Sequence, residues 1–224
     1  MRTEQLERAA GRAGWVVSLV VACAVVVATS PAGAIEKTLA NDGFTGSGDL
    51  ICVQGFAVEE IGAARFTAEP GDYPFTIQSV QILLCPDGPA SDLVLKIWRD
   101  DGSSLPPAEL LWEEIVTFTP STTLLNEVDL SVDNLVIDSG SVRVGIEYLF
   151  SGSPPAPGIA RDIDGINPSA NLIFVPPASW FLSQQLGVTG DWIIRLVVDA
   201  NEAQPIFADG FESGGTTAWS AVVP

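Results

Sequence analysis

The segment Asp162-Ile163-Asp164-Gly165-Ile166-Asn167 sets side-chain oxygens at intervals around a glycine, as loops do when they gather ligands for a hard cation. Asp162, Asp164 and Asn167 are therefore the candidate metal ligands, and Ca2+ is the one cofactor these residue types point to. A full EF-hand loop would need a bidentate glutamate at its twelfth position, where this chain has Ile173. The competing reading is an Asx-type turn with solvated carboxylates. A second chemistry is sugar binding, which uses flat rings over the apolar face of a pyranose and neighbouring Asp, Asn or Gln on its hydroxyls. Trp98, Trp180 (with Gln184 and Gln185 close in sequence) and Tyr73 are the candidate ligand-binding rings. Against this stands a packing role, with Trp98 on a core face and Trp180 capping one end of the fold.

Catalysis has little to work with. The chain contains no histidine, which removes the usual general base, the commonest zinc ligand and the ordinary pH switch together. The carboxylate doublets Glu59-Glu60 and Glu113-Glu114 cannot form a glycosidase pair as such, because adjacent strand residues point to opposite faces. No lysine sits in a Ser-x-x-Lys motif. The expectation is a protein without a catalytic site.

The elements that must position these residues begin after a leader. Arg2, Arg8 and Arg12 precede an uncharged apolar run from Trp15 to Ala28, which ends at Ala32-Gly33-Ala34. This is the pattern of a secretory signal peptide, residues 1–34. The run is short for a transmembrane anchor. A lipoprotein signal ending at Cys23 is the other alternative, and the apolar stretch Ala24 to Ala28 argues against it. Cleavage leaves 190 residues. It removes three of ten basic residues and two of 28 acidic ones, giving 7 against 26 and a formal charge of −19. Such a field repels phosphate backbones and anionic lipid, so neither nucleic acid nor a membrane surface is an expected partner, and no insertion follows cleavage. Cys52 and Cys85 remain as a pair, and in an oxidising compartment they are expected to form a disulfide.

Along residues 50–200 the apolar residues recur with period two, in short runs broken by Gly, Pro, Asp and Ser. That pattern predicts an all-β domain of eight or nine antiparallel strands, a two-sheet sandwich of jelly-roll type. The long run Phe75 to Cys85 keeps Phe75, Ile77, Val80, Ile82 and Leu84 on one face only if a residue bulges near Ser79. Leu93, Leu95 and Ile97 face one way and Trp98 the other. Asp100-Asp101-Gly102 and Asp138-Ser139-Gly140-Ser141 read as turns, and Val142, Val144, Ile146 and Tyr148 share a face. Residues 35–49 are expected to be an N-terminal extension, Ser151 to Gly158 a Pro-rich exposed loop, and 201–224 a tag or flexible tail.

Three stretches carry a resemblance: Phe75-Thr76-Ile77-Gln78-Ser79-Val80, Leu93 to Gly102 with its Asp-Asp-Gly turn, and Val142-Arg143-Val144-Gly145-Ile146-Glu147-Tyr148. Together with the closing run Trp192 to Val198 they resemble a jelly-roll accessory module of secreted bacterial proteins. The segment Asp209-Gly210-Phe211-Glu212-Ser213-Gly214-Gly215-Thr216-Thr217-Ala218-Trp219-Ser220 is similar to a C-terminal tag of exported Gram-negative proteins, with Gly215 where the usual form has aspartate. The resemblance implies a location outside the cytoplasm of a Gram-negative bacterium, secreted or at the cell surface. The leading expectation is a non-catalytic module binding an extracellular or cell-surface ligand, carbohydrate by class. A structural or adhesive envelope protein is the alternative, and a carboxylate-dependent glycoside hydrolase the third.

Overall fold

A computed structural model describes residues 33–46, 49–102, 105–149, 156–167, 169–177 and 179–201. The leader up to residue 32 with Cys23, most of the Pro-rich loop and the C-terminal tag lie outside the described residues. Fourteen strands run through the described chain in the order β1 (Ala34–Ala40), β2 (Leu50–Val53), β3 (Ile61–Thr67), β4 (Phe75–Ile82), β5 (Leu84–Cys85), β6 (Ser91–Asp100), β7 (Glu109–Phe118), β8 (Asn126–Asp129), β9 (Val136–Ile137), β10 (Ser141–Glu147), β11 (Gly158–Asp162), β12 (Asn171–Val175), β13 (Ser179–Leu182) and β14 (Ile194–Asn201). One sheet has the order β1-β14-β4-β8 with β9 also on β4, a second β13-β12-β3-β10-β6-β7, and a small third β2-β11-β5. Every pairing is antiparallel.

Period-two alternation explains how the two large sheets meet. Phe75, Ile77, Val80 and Ile82 of β4 and Leu196 and Val198 of β14 form one core with Leu93, Leu95 and Ile97 of β6 and Val142, Val144 and Ile146 of β10. Each is essentially inaccessible to solvent, and removing a side chain of this size from water contributes about 1.5–3 kcal/mol. The bulge needed to keep β4 on this face is present. Val197 pairs with Ser79 and Val198 with Ile77, so Gln78 is the extra residue. That insertion resets the alternation between Ile77 and Val80.

Beyond Ile82 the chain leaves this sheet at Leu83 and enters β5, which flanks β11 opposite β2. Cys52 of β2 and Cys85 of β5 form the expected disulfide, with Cα atoms 5.5 Å apart. Phe44, Leu83, Ala160 and Ile193 pack with Cys85 as a second, smaller core.

Several expectations change. Residues 35–49 are not merely an extension, because β1 occupies the edge of the five-stranded sheet along seven residues of β14. Sequence alternation in Ala34–Ala40 is weak since the strand is only half-covered there. The Asp100-Asp101-Gly102 turn opens a connection that spans residues 101–108, longer than a tight hairpin. Asp162 ends a strand, β11, rather than opening a loop.

The disulfide closes a loop of 33 residues. In the chain-entropy account this constrains the unfolded chain by about 3–4 kcal/mol. A Cys52→Ala/Cys85→Ala double variant is therefore expected to lose about that much unfolding free energy, read from urea denaturation. An unchanged midpoint would show that the bond adds nothing.

Candidate functional site

The three predicted rings do not assemble into one open platform. Trp98 faces away from Leu93, Leu95 and Ile97, as its phase requires, yet it is only 7% exposed. The reason is tertiary: outward side chains of β12 and β13, two strands of the same sheet, close over Trp98 together with Leu105 from the β6–β7 connection. Ile61, Ala63 and Leu172 pack there with Trp98, and Leu105, Phe174, Trp180 and Leu182 pack against them. Trp98 and Trp180 meet edge to face with centroids 5.8 Å apart, and Phe174 lies 5.4 Å from Trp180. Tyr73 is elsewhere. Its ring leans on Phe75, its hydroxyl donates to the Gly140 carbonyl and accepts from the Ala68 N–H.

Beneath the tryptophans lies a charge cluster that the sequence showed only as a turn residue and two scattered arginines. Asp100, Arg143 and Arg65 are 1%, 0% and 9% exposed. Arg143 donates from Nε (2.8 Å) and Nη2 to Asp100 Oδ2, and Arg65 Nε donates to the same oxygen at 3.0 Å. The other Asp100 oxygen accepts the Gly102 N–H at 2.8 Å, with Gly102 at φ +73°. Arg143 also donates to the Leu105 carbonyl and lies 4.4 Å over the Trp180 ring. Burial pushes the Arg143 guanidinium down to about 10, and Asp100 opposes that shift. These groups are held by one another, so they brace the fold.

The predicted cation loop is rebuilt in the same way. Asp162 is not a solvated turn residue. It is 5% exposed, and its two oxygens accept the Gly43 N–H at 2.9 Å and the Asp191 N–H at 2.8 Å. Asp191, which sequence reading missed, accepts the Asn167 N–H at 2.9 Å and the Asn171 amide. The Asn167 side chain donates to Asn41 at 3.4 Å. Among the described residues no group of three or more Asp, Glu, His or Cys is placed to hold a metal ion. The cluster ties the segment after β1 to β11 and to the residues before β14, with Asp42 nearby in an ion pair to Arg195.

The outer face of the five-stranded sheet is open. Glu36 and Thr38 of β1, Gln78, Ser79 and Gln81 of β4, Glu127 and Asp129 of β8, Ser131 and Val197 line a trough of about 550 Å³. Ser79 donates to Glu127 Oε1 at 2.6 Å. The Ser131 N–H donates to Asp129 at 2.9 Å, and with the Ser131 hydroxyl it holds that carboxyl below the usual range. A smaller recess of about 450 Å³ surrounds Lys96. Lys96 bridges Glu147 at 2.6 Å and Glu113 at 3.2 Å. Burial alone would lower its ammonium, but those hydrogen bonds raise it above the ordinary value. Glu113 turns to Lys96 and Glu114 pairs in the row of Leu95, and both line the Lys96 recess; Glu59 and Glu60 lie between β2 and β3, off any strand, where Glu60 accepts the Ala57 N–H. No family model matches the chain, and neither the curated proteins nor the solved structures gave a match.

Two predictions test this geometry. Asp100→Asn leaves Arg143 and Arg65 buried without their counter-charge and is expected to cost about 3–5 kcal/mol of stability by urea denaturation; a loss below about 1 kcal/mol would show the cluster to be marginal. Burial raises the carboxyls of both Asp162 and Asp191, and Asp164 adds to the rise at Asp162. Carboxyls that hold protons more tightly when folded add stability at low pH and lose it as pH climbs from the unfolded value of 3.8 through their raised folded values. The urea midpoint is thus expected to be higher at about pH 5 than at about pH 7, with the difference narrowed in Asp164→Asn. Equal pH dependence in the variant would remove Asp164 from the coupling.

Proposed function

We propose that this chain is an exported, non-catalytic β-sandwich module of jelly-roll type that binds a saccharide along the trough on its five-stranded sheet. The trough itself carries the reading. It presents three carboxylates, two side-chain amides and three hydroxyls with Val197 as the one apolar residue in its lining, a set matched to the many donors and acceptors of a polyol. The rings Trp98, Trp180 and Tyr73 do not take part, so recognition rests on hydrogen bonds rather than stacking.

Export is supported by the leader composition, the tag and the Cys52–Cys85 bond, which belongs to oxidising compartments. A hydrolytic role has weaker support. Glu127 and Asp129 do share a face of β8, but Asp129 is held toward its ionised form, the opposite of what a general acid needs. One observation favours a structural or adhesive envelope protein instead: the tryptophans of the sandwich are committed to packing.

A glycan array, followed by calorimetry on any hit, separates the two. Binding in the millimolar range that weakens about tenfold or more in Gln81→Ala and Glu127→Gln, with unchanged thermal midpoints, is the expected result. Absence of binding to any glycan at about 10 mM would sink the saccharide reading and leave the structural one.

A further inference from the structure

A second recess lies where β11 meets the segment before β14, away from the polar trough in its chemistry. Ile51, Arg161, Ile163, Gly165, Ile166, Thr189 and Gly190 enclose about 360 Å³. Arg161 and Ile51 are direct cross-strand partners, and Trp192 bridges to Arg161 from the other side. Ile51, Ile163 and Ile166 supply the apolar part of its walls, with Ile51 43% and Ile163 52% exposed.

Arg161 sits in this recess without a counter-charge. Among the described residues it forms no ion pair. Its Nη1 donates to the Thr189 hydroxyl at 3.5 Å, and its Nε is buried with no hydrogen-bond partner. The contrast with the described chain is sharp, since Arg65, Arg99, Arg143 and Arg195 each pair with a carboxylate. A buried donor left unmatched is costly. The floor of the recess is backbone: a Cβ at Gly190 would lie 2.1 Å from the Asp162 carbonyl and 3.0 Å from Arg161 Nη1. Gly190, at φ +88°, thus lets the guanidinium lie against the main chain.

From this juxtaposition we infer that the recess is a binding site for a monocarboxylate with a short alkyl chain, a free alkanoate of about six to eight carbons. The terminal Nη2 of the guanidinium takes the carboxylate by a charge-assisted hydrogen bond, with the buried Nε behind it. Ile51, Ile163 and Ile166 take the chain, removing exposed apolar surface from water. A single negative charge fits one guanidinium. Asp162, Asp164 and Asp191 near the recess oppose any anion, and a dianion such as a phosphate monoester about twice as strongly as a monocarboxylate. The site is independent of the saccharide reading.

The test is a chemical-shift titration of the intact secreted chain with hexanoate, with hexan-1-ol and acetate as controls. Saturable shifts of the Ile51, Ile163 and Ile166 methyls at millimolar hexanoate are expected, with both controls about tenfold weaker or more. Arg161→Gln should weaken hexanoate by about tenfold or more, and Arg161→Lys by less. Ile163→Ser, at an exposed rim position, should weaken hexanoate but not acetate and guards against a folding defect in the arginine variants. Hexan-1-ol binding as tightly as hexanoate, hexanoate binding undiminished in folded Arg161→Gln, or no saturable shift up to about 20 mM would each overturn the assignment.

Discussion

The six-stranded sheet is buried on both faces along β3 and β10, and the charges this traps are the constraint on which the surrounding structure depends. Arg65, Asp100 and Arg143 sit on three adjacent strands, β3, β6 and β10. An arginine buried by a covering layer must meet an acceptor or pay its full desolvation. Asp100 supplies one for both arginines at once. The cover follows from this: Leu105 contributes a carbonyl, and Trp180 lays its ring against the guanidinium of Arg143. Trp98, Phe174 and Trp180 then fill the space that remains. Burial of the rings drives the enclosure, and the pairing of the charges beneath them offsets its cost.

The five-stranded sheet has no such cover among the described residues. Its inner residues join the shared core, and its outer ones stay polar. This asymmetry is why the trough of Glu36, Gln81, Glu127 and their neighbours is open, while the opposite outer face is filled around Trp98 and open at the Lys96 recess. At the far ends of both sheets, two devices hold irregular segments down. The disulfide joins β2 to β5, and the buried carboxylates of Asp162 and Asp191 collect backbone N–H groups from three separate stretches of chain. A carboxylate can satisfy several otherwise orphaned donors in one place, which is what Asp162 and Asp191 do here. Arg161 lies beside this brace without an ion pair among the described residues, in a recess it shares with Ile51, Ile163 and Ile166.

The sequence by itself determined what depends on alternation and on local chemistry. The all-β class, the shared inward face of Phe75, Ile77, Val80 and Ile82 with its bulge, the outward phase of Trp98 and the pairing of Cys52 with Cys85 were all legible, because each is set by residue order within one or two strands. The polar side of β4 and β8 was visible in the same alternation. Its meaning as a trough was not, since that needs β1, β4, β8 and β14 to be neighbours, and they are far apart in the chain. Only the tertiary structure decided which outward faces are covered. Whether Trp98 is a platform or a packing residue, whether Asp100 ends a turn or anchors two arginines, and whether Asp162 faces water or backbone all turn on contacts between distant segments. Side-chain identity and period specify a direction, but burial belongs to whatever the rest of the chain brings to that side.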